Sequence, residues 1–443
     1  MTPNKKIFCN TPWFEAHIYW DGSLGICCQE SQQLYPIEKQ SEYNIKTMSL
    51  KEWFNSEPVK LLRTQMLQSV PLEHYCKICI LEEKNSTTSR RHRSNQKSVI
   101  FTKSNFTDSF NQSPNYTYFD YSFKNNGQTK TLPIDLHIDL GNHCNLACKM
   151  CGPRASSRIA SQHVKWNILE DKKYIGSDWT KDETTWLGFL QELQELPLKN
   201  VHFMGGETVL SSRLHEFLDY MIFKKRFDIS FSFVTNGTLF DKNLIEKLSL
   251  FNRVGIEVSI ETLTDHNHYQ RQGTNTVTVL ENIQKYKNFC DNDKISLTIR
   301  PAISALTIGT YHTLIKYCLE NNFIIKALVV NYPSFLSVNV LPKCIRANYK
   351  ANYTQLIKDY QLENLDTVND FNESDPFEFK RIAKTYIEQA LSLLDQDEPE
   401  NITVLQKELV DHCKKWDHVY SYDALELYPE LREIFIDNGY KIL

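Results

Sequence analysis

From residue 132 onward the chain alternates stretches that read as strands with stretches that read as helices, and this alternation limits the fold more than any other feature. PIDLHIDLG sets Ile134, Leu136, Ile138 and Leu140 on one face of a first strand. VHFMGG (201–206), ISFSFVTNG (229–237), VGIEVSIET (254–262), ISLTIRPAI (295–303) and IIKALVVNY (324–332) read as five more. Helical stretches lie between them, near 182–196, 211–225, 241–250, 275–289 and 309–321. Such an order builds a parallel α/β sheet with right-handed crossovers. The spacing suits a partial or complete β/α barrel better than an open nucleotide-binding sheet. Barrel chemistry sits where loops leave the C-terminal ends of strands, so the residues just after each strand are the ones to examine.

The cysteines point to metal. Eight of the twelve fall in two tight groups. The start, MTPNKKIFCNTPWF, has two lysines with no apolar run behind them, and no stretch has the apolar length of a membrane span. A cytoplasmic protein with no membrane partner is therefore expected, and in that reducing setting a disulfide framework is not. A net charge of −4 and a pI near 6.4 give no basic excess for phosphate binding, which disfavours a nucleic-acid partner.

The decisive stretch is GNHCNLACKMCGPR, residues 141–154, which places Cys144, Cys148 and Cys151 in a C-x3-C-x2-C array directly after the first strand. Four thiolates saturate an iron–sulfur cubane, so three leave one iron open to a substrate or cofactor. Zinc is the alternative, with His143 as its fourth ligand, although adjacent His and Cys side chains converge poorly on one tetrahedral ion.

This array resembles the cluster motif of the radical S-adenosylmethionine (SAM) superfamily, and the resemblance extends over residues 132–335. MGGET, with Gly205, Gly206 and Glu207 at the end of the second strand, looks like that family's GGE motif, which holds the SAM ammonium group. TNGT around Asn236 ends the third strand, where the family often has a polar SAM contact. Ser259 and Glu261 fall where ribose contacts are expected, and Arg271 resembles the arginine that pairs with the SAM carboxylate. Two positions depart from the pattern: Met150 stands where an aromatic residue is common beside the adenine, and Thr208 where proline is common. The resemblance implies a partial (β/α)6-type radical SAM barrel. It also implies an enzyme that takes an electron from a donor such as a flavodoxin or ferredoxin and cleaves SAM reductively to a 5′-deoxyadenosyl radical.

Cys9, then Cys27 and Cys28, then Cys76 and Cys79 form the second group. They resemble the SPASM/twitch module that binds an auxiliary [4Fe–4S] cluster in many radical SAM enzymes, here placed before the barrel. Five thiols serve four positions, so either Cys27 or Cys28 is spare; a zinc knuckle is the alternative. Cys290, Cys318, Cys344 and Cys413 read as buried small residues. The basic run RRHR (90–93) reads as a solvated surface or a phosphate or acidic-peptide contact, and His266–His268 as a surface loop or proton donor.

The expected organisation is a cluster module over 1–93, a linker over 94–131, the barrel over 132–343 and a helical region over 344–443. That last region includes the amphipathic stretches DPFEFKRIAKTYIEQALSLL and ITVLQKELVDHCKKW, and it is expected to close the bottom or side of the barrel or to dock a partner. Two substrate classes remain: a peptide or protein side chain, as in many SPASM relatives, or a small metabolite such as a sugar or nucleotide derivative. A non-enzymatic iron–sulfur scaffold would keep the cysteines but would not need Glu207 and Arg271. The sequence assigns no residue to the attack on substrate.

Overall fold

The apolar alternation of the strands builds one eight-stranded sheet. The computed structural model describes residues 2–28, 41–84, 89–97, 110–169, 174–175, 178–290, 294–367 and 377–440. The sheet strands are β1 (Glu15–Ile18), β2 (Leu24–Gly25), β3 (Asp135–Asp139), β5 (Asn200–Met204), β6 (Ser230–Thr235), β7 (Arg253–Val258), β9 (Ile295–Ile299) and β11 (Ile324–Ile325). Their order is β11-β9-β7-β6-β5-β3-β1-β2, with only the β1–β2 pair antiparallel. Between them lie the short β4 (Ala147–Cys148), β8 (Arg271–Gln272), β10 (Ala302–Ile303) and β12 (Leu328–Val329).

Every second residue is buried along the central strands. Phe203 and Phe231 pack edge-on against Phe217 of helix Ser212–Phe223, so this face is the one under the helices. The opposite face is polar and holds a register row that runs His17, His137, His202, Ser232, Gly255 and Ser296 across six strands. In a flat sheet β9 and β2 would stand about 29 Å apart at ~4.8 Å per strand. Yet Cys28, just past β2, is near enough to Arg300, just past β9, to favour its charged form. The sheet is therefore rolled, and the polar row lines its lumen.

Two expectations change. The first 93 residues do not stand apart from the barrel, because β1 pairs in parallel with β3, Glu15 opposite Asp135. Local patterning could not reveal this, since the parallel pair is closed over more than a hundred residues of chain. The stretch 94–131 is not simply a linker. Its described part continues helix Arg90–Lys97 and forms helix Tyr116–Lys124, and Phe110 and Phe119 stack in a cluster with Phe8 and Trp13. The scattered aromatics are core residues whose partners lie about a hundred positions upstream. Residues 98–109 lie outside the described set.

The helical region after 343 divides. Helices Lys343–Asp359 and Glu378–Leu394 pack beside helix Ile308–Asn321 and β11 at the sheet edge. Helix Ile402–Tyr420 and the turns after it lie against β8 and the cysteine loop instead. Of the four outlying cysteines, Cys318 and Cys413 are buried, Cys290 is half-buried and Cys344 is exposed, since it sits in the first turn of a surface helix. Among the described residues no helix is long and apolar enough to cross a membrane.

Candidate functional site

The loop after β3 carries the thiol triad. Cys148 lies in β4, which pairs with β8 so that Cys148 stands opposite Arg271, and the Cys151 N–H closes a turn onto the Cys148 carbonyl at 3.1 Å. The Leu146 N–H points at Cys144 Sγ, 3.4 Å away. Burial pushes the Cys144 thiol up to about 12. The contact between Cys148 and Cys151, followed by burial, raises Cys148, and the same contact lowers Cys151. Three thiols drawn together on one loop are the donor set an iron–sulfur group takes while leaving one iron open, so the residues fit such a group. Among the described residues no three His, Cys, Asp or Glu side chains surround one point closely enough to hold a single metal ion. His143, the proposed fourth zinc ligand, is exposed and lines a cavity whose walls include none of the three cysteines.

The GGE segment braces this loop from the neighbouring strand. Gly206 and Glu207 donate backbone N–H bonds to the carbonyls of Gly141 and His143 at 3.0 and 2.7 Å. A Cβ on Gly205 (φ +109°) would lie 2.3 Å from the Gly141 carbonyl, and one on Gly206 only 1.9 Å from that of His143. Close backbone approach is thus one reason for both glycines. The Glu207 carboxylate accepts from the Val209 N–H, the Thr235 hydroxyl and the Asn236 N–H, at 3.2, 2.6 and 2.6 Å. Burial raises its pKa in spite of these bonds. A buried carboxylate of this kind gains from any cation brought to it.

The other expected SAM contacts fall close by. Asn236 Nδ2 donates to Asn145 Oδ1 at 2.8 Å and lies 4.0 Å from Cys144 Sγ. Ser259 is buried, its N–H bonded to the Thr235 carbonyl. Glu261 and Arg271 form a buried two-point ion pair, with Arg271 Nη1 3.7 Å from Cys148 Sγ. The arginine is thus held by Glu261 while one N–H faces the triad. Beside the GGE turn opens a cavity of about 690 Å³ lined by His143, Asp178, Lys181, Glu207, Arg213 and Glu216, among others.

The N-terminal thiols gather from three separate segments. Cys9, Cys27, Cys76 and Cys79 line one pocket together with Tyr75, Arg90 and Arg91. Cys28 does not line it; it contacts Cys27 and faces Arg90 and His137 in the lumen. Burial pushes Cys9 and Cys79 up to about 12. Four thiols lining one pocket are the donor set that saturates an iron–sulfur cubane, so these residues fit such a group. The RRHR run is an internal brace and not a solvated face: Arg90 binds Glu15 and His137, and Arg91 binds Glu83. Glu83 lies eight residues before Arg91, but Glu15 comes from 75 residues before Arg90, out of reach of a local reading. His266 binds the Leu427 carbonyl at 2.7 Å, and His268 packs edge-on against Tyr422. Sequence reasoning missed Lys149, inside the motif, and Trp416, which meets it from 267 residues away. Only the motif position of the lysine carried a signal.

Residues 138–303 match the family model of the radical SAM superfamily, and residues 9–80 match the SPASM iron–sulfur cluster-binding domain. The PqqA peptide cyclase of Gluconobacter oxydans (strain 621H) is 26% identical over 133 residues, which are 30% of this chain and 32% of that protein. The chain thus matches about a third of the length of this curated relative. Among solved structures, anSMEcpe with bound AdoMet is similar at a TM-score of 0.39 and 19% identity, over 52% of this chain and 63% of that one. Streptococcus suis SuiB bound to precursor peptide SuiA is similar at 0.38 and 15%, over 68% and 63%.

Proposed function

Taking as premise that this chain is a radical SAM enzyme with an N-terminal SPASM domain, we propose that it removes a hydrogen atom from a peptide or protein side chain. A [4Fe–4S] cluster and SAM supply reductive cleavage to a 5′-deoxyadenosyl radical when bound, and the SPASM domain brings an auxiliary cluster. In this reading Cys144, Cys148 and Cys151 hold the first cluster, and Cys9, Cys27, Cys76 and Cys79 the second. Gly205, Gly206 and Glu207 receive the SAM ammonium group, whose charge answers the buried carboxylate. Asn236 and Ser259 border the same space, and Arg271, steadied by Glu261, faces the triad.

One observation carries the reading: a thiol loop opposite Arg271 is braced by the GGE turn, in the same sheet that β1 extends to the second thiol pocket. The peptide substrate draws its support from the PqqA peptide cyclase likeness. Deuterium transfer tests it. Reduced, SAM-loaded enzyme is given either the protein digest or the small-molecule fraction of cells grown in deuterated water. Deuterium in 5′-deoxyadenosine from the digest supports a peptide; label from the small-molecule fraction alone assigns the chemistry to a metabolite. The electron donor is proposed to be a flavodoxin or ferredoxin, checked by replacing dithionite with either protein in the same assay.

A further inference from the structure

Lys149 sits between Cys148 and Cys151 and is 3% exposed, and its ammonium has no hydrogen-bond partner among the described residues. Its Nζ lies 3.6 Å from the centre of the Tyr269 ring and 4.3 Å from that of Trp416. A buried lysine without a hydrogen-bond acceptor is costly, and two aromatic faces at this range offset the cost together with the nearby Cys413 and Asp417. The rings are themselves fixed. Trp416 Nε1 donates to His412 at 2.7 Å and its ring stacks on Tyr420, whose hydroxyl accepts from Gln162 at 3.0 Å. Tyr269 packs against Tyr422 and Tyr428.

The backbone repeats the connection. The Lys149 N–H donates to the Gln270 carbonyl at 2.9 Å, the Gln270 side chain donates to Tyr428 at 2.8 Å, and Tyr428 donates to the Leu306 carbonyl at 3.0 Å. Helix Ile402–Tyr420 and Tyr428 lie outside both matched domains, yet they supply one wall of the lysine's cage and tie down the strand opposite Cys148.

We propose that Lys149, clamped between Tyr269 and Trp416, is a positioning residue that makes the C-terminal helix part of the central cluster site. The clamp holds the spacing of Cys148 and Cys151 before any cluster is present. It rests on the cluster reading only for its consequence in the loaded enzyme, so the experiment has two arms.

The first is hydrogen exchange of the 144–151 segment in cluster-free full-length protein, comparing wild type with Trp416→Ala, Trp416→Phe and Lys149→Met. Exchange about tenfold faster in Trp416→Ala and Lys149→Met, restored in Trp416→Phe, is the expected result. The second is the change that SAM makes in the electron paramagnetic resonance spectrum of the reduced, reconstituted protein. It should weaken severalfold in the same two variants while the N-terminal cluster's signal stays constant. Wild-type exchange in both variants overturns the clamp. A wild type with no SAM-dependent spectral change overturns the cluster reading, and the exchange arm still decides the clamp. If Trp416→Ala loses its fold, Lys149→Met, which keeps most of the stem, decides alone.

Discussion

The two thiol groups differ in how far the chain must fold to make them. Cys144, Cys148 and Cys151 come within eight residues, on one loop with a short strand of its own, and the neighbouring strand end braces that loop through backbone bonds. The pocket of Cys9, Cys27, Cys76 and Cys79 is assembled from three segments and joins the barrel through β1. The first is a local motif that needs tertiary support only behind it. The second exists only once the edge of the sheet has formed. A local site has its ligands brought together by sequence and takes only its support from distant chain, whereas an assembled site reports directly on whether the sheet edge is intact.

Replacing all three triad cysteines by alanine gives the largest expected effect on this contrast. Formation of 5′-deoxyadenosine should fall to background, and iron per reconstituted chain should drop from about eight to about four. The remaining iron would show that the assembled site stands without the local one. Loss of all iron would mean that the two sites load as a unit, and the contrast would fail.

The next test separates neighbours. Cys27 lines the N-terminal pocket and Cys28 faces Arg90 and His137, so Cys27→Ser should lose about half the iron while Cys28→Ser keeps it all. Iron analysis of the two variants checks this, and the reverse result would move the ligand to Cys28. Smaller again is Gly206→Ala. The added methyl collides with the His143 carbonyl, and an overpacked contact of this kind costs about 1–3 kcal/mol. Urea titration should show that loss, with the damage at the cysteine loop and the N-terminal cluster signal unchanged.

The same contrast explains what was readable in the sequence. The strands, their intervening helices and the triad follow from periodicity and spacing within a few residues, and the structure has strands at all six of the predicted positions from 135 onward. Pairing across long intervals was not readable. Arg90 looks solvated until Glu15 is brought to it, and the aromatics of 110–123 look scattered until Phe8 and Trp13 arrive. Arg271 stands out in the sequence by resemblance alone, and nothing local pairs it with Glu261, ten residues before it. Trp416 carries no local sign of the lysine it covers. Periodicity reports the face of one element, and these contacts depend on which two faces meet.

Acid should produce the smallest effect, and it should act more on one site than on the other. Burial, and then nearby positive charge including Lys149, hold the His412 pKa well below its ordinary value. The residue accepts the Trp416 N–H and so belongs to the cover of the cysteine loop. The folded state keeps this imidazole neutral while the unfolded chain protonates it near pH 6.5. Below that pH the unfolded state binds the extra proton, so stability rises with pH and is lost on acidification by up to about 1.4 kcal/mol per unit for this one group. His202, in the lumen, is lowered in the same direction by burial, then by His137 and Arg300. The N-terminal thiol pocket has no histidine in its lining, and His92, whose pKa burial also lowers, contacts Glu83 behind that lining. Between pH 7.5 and 5.5 hydrogen exchange of the 144–151 segment should therefore quicken more than exchange of 76–80. His412→Gln, which keeps an acceptor for Trp416, should flatten the response. Equal quickening in both segments would show that acid loosens the sheet as a whole, and the central site would lose the separate support that distinguishes it from the edge site.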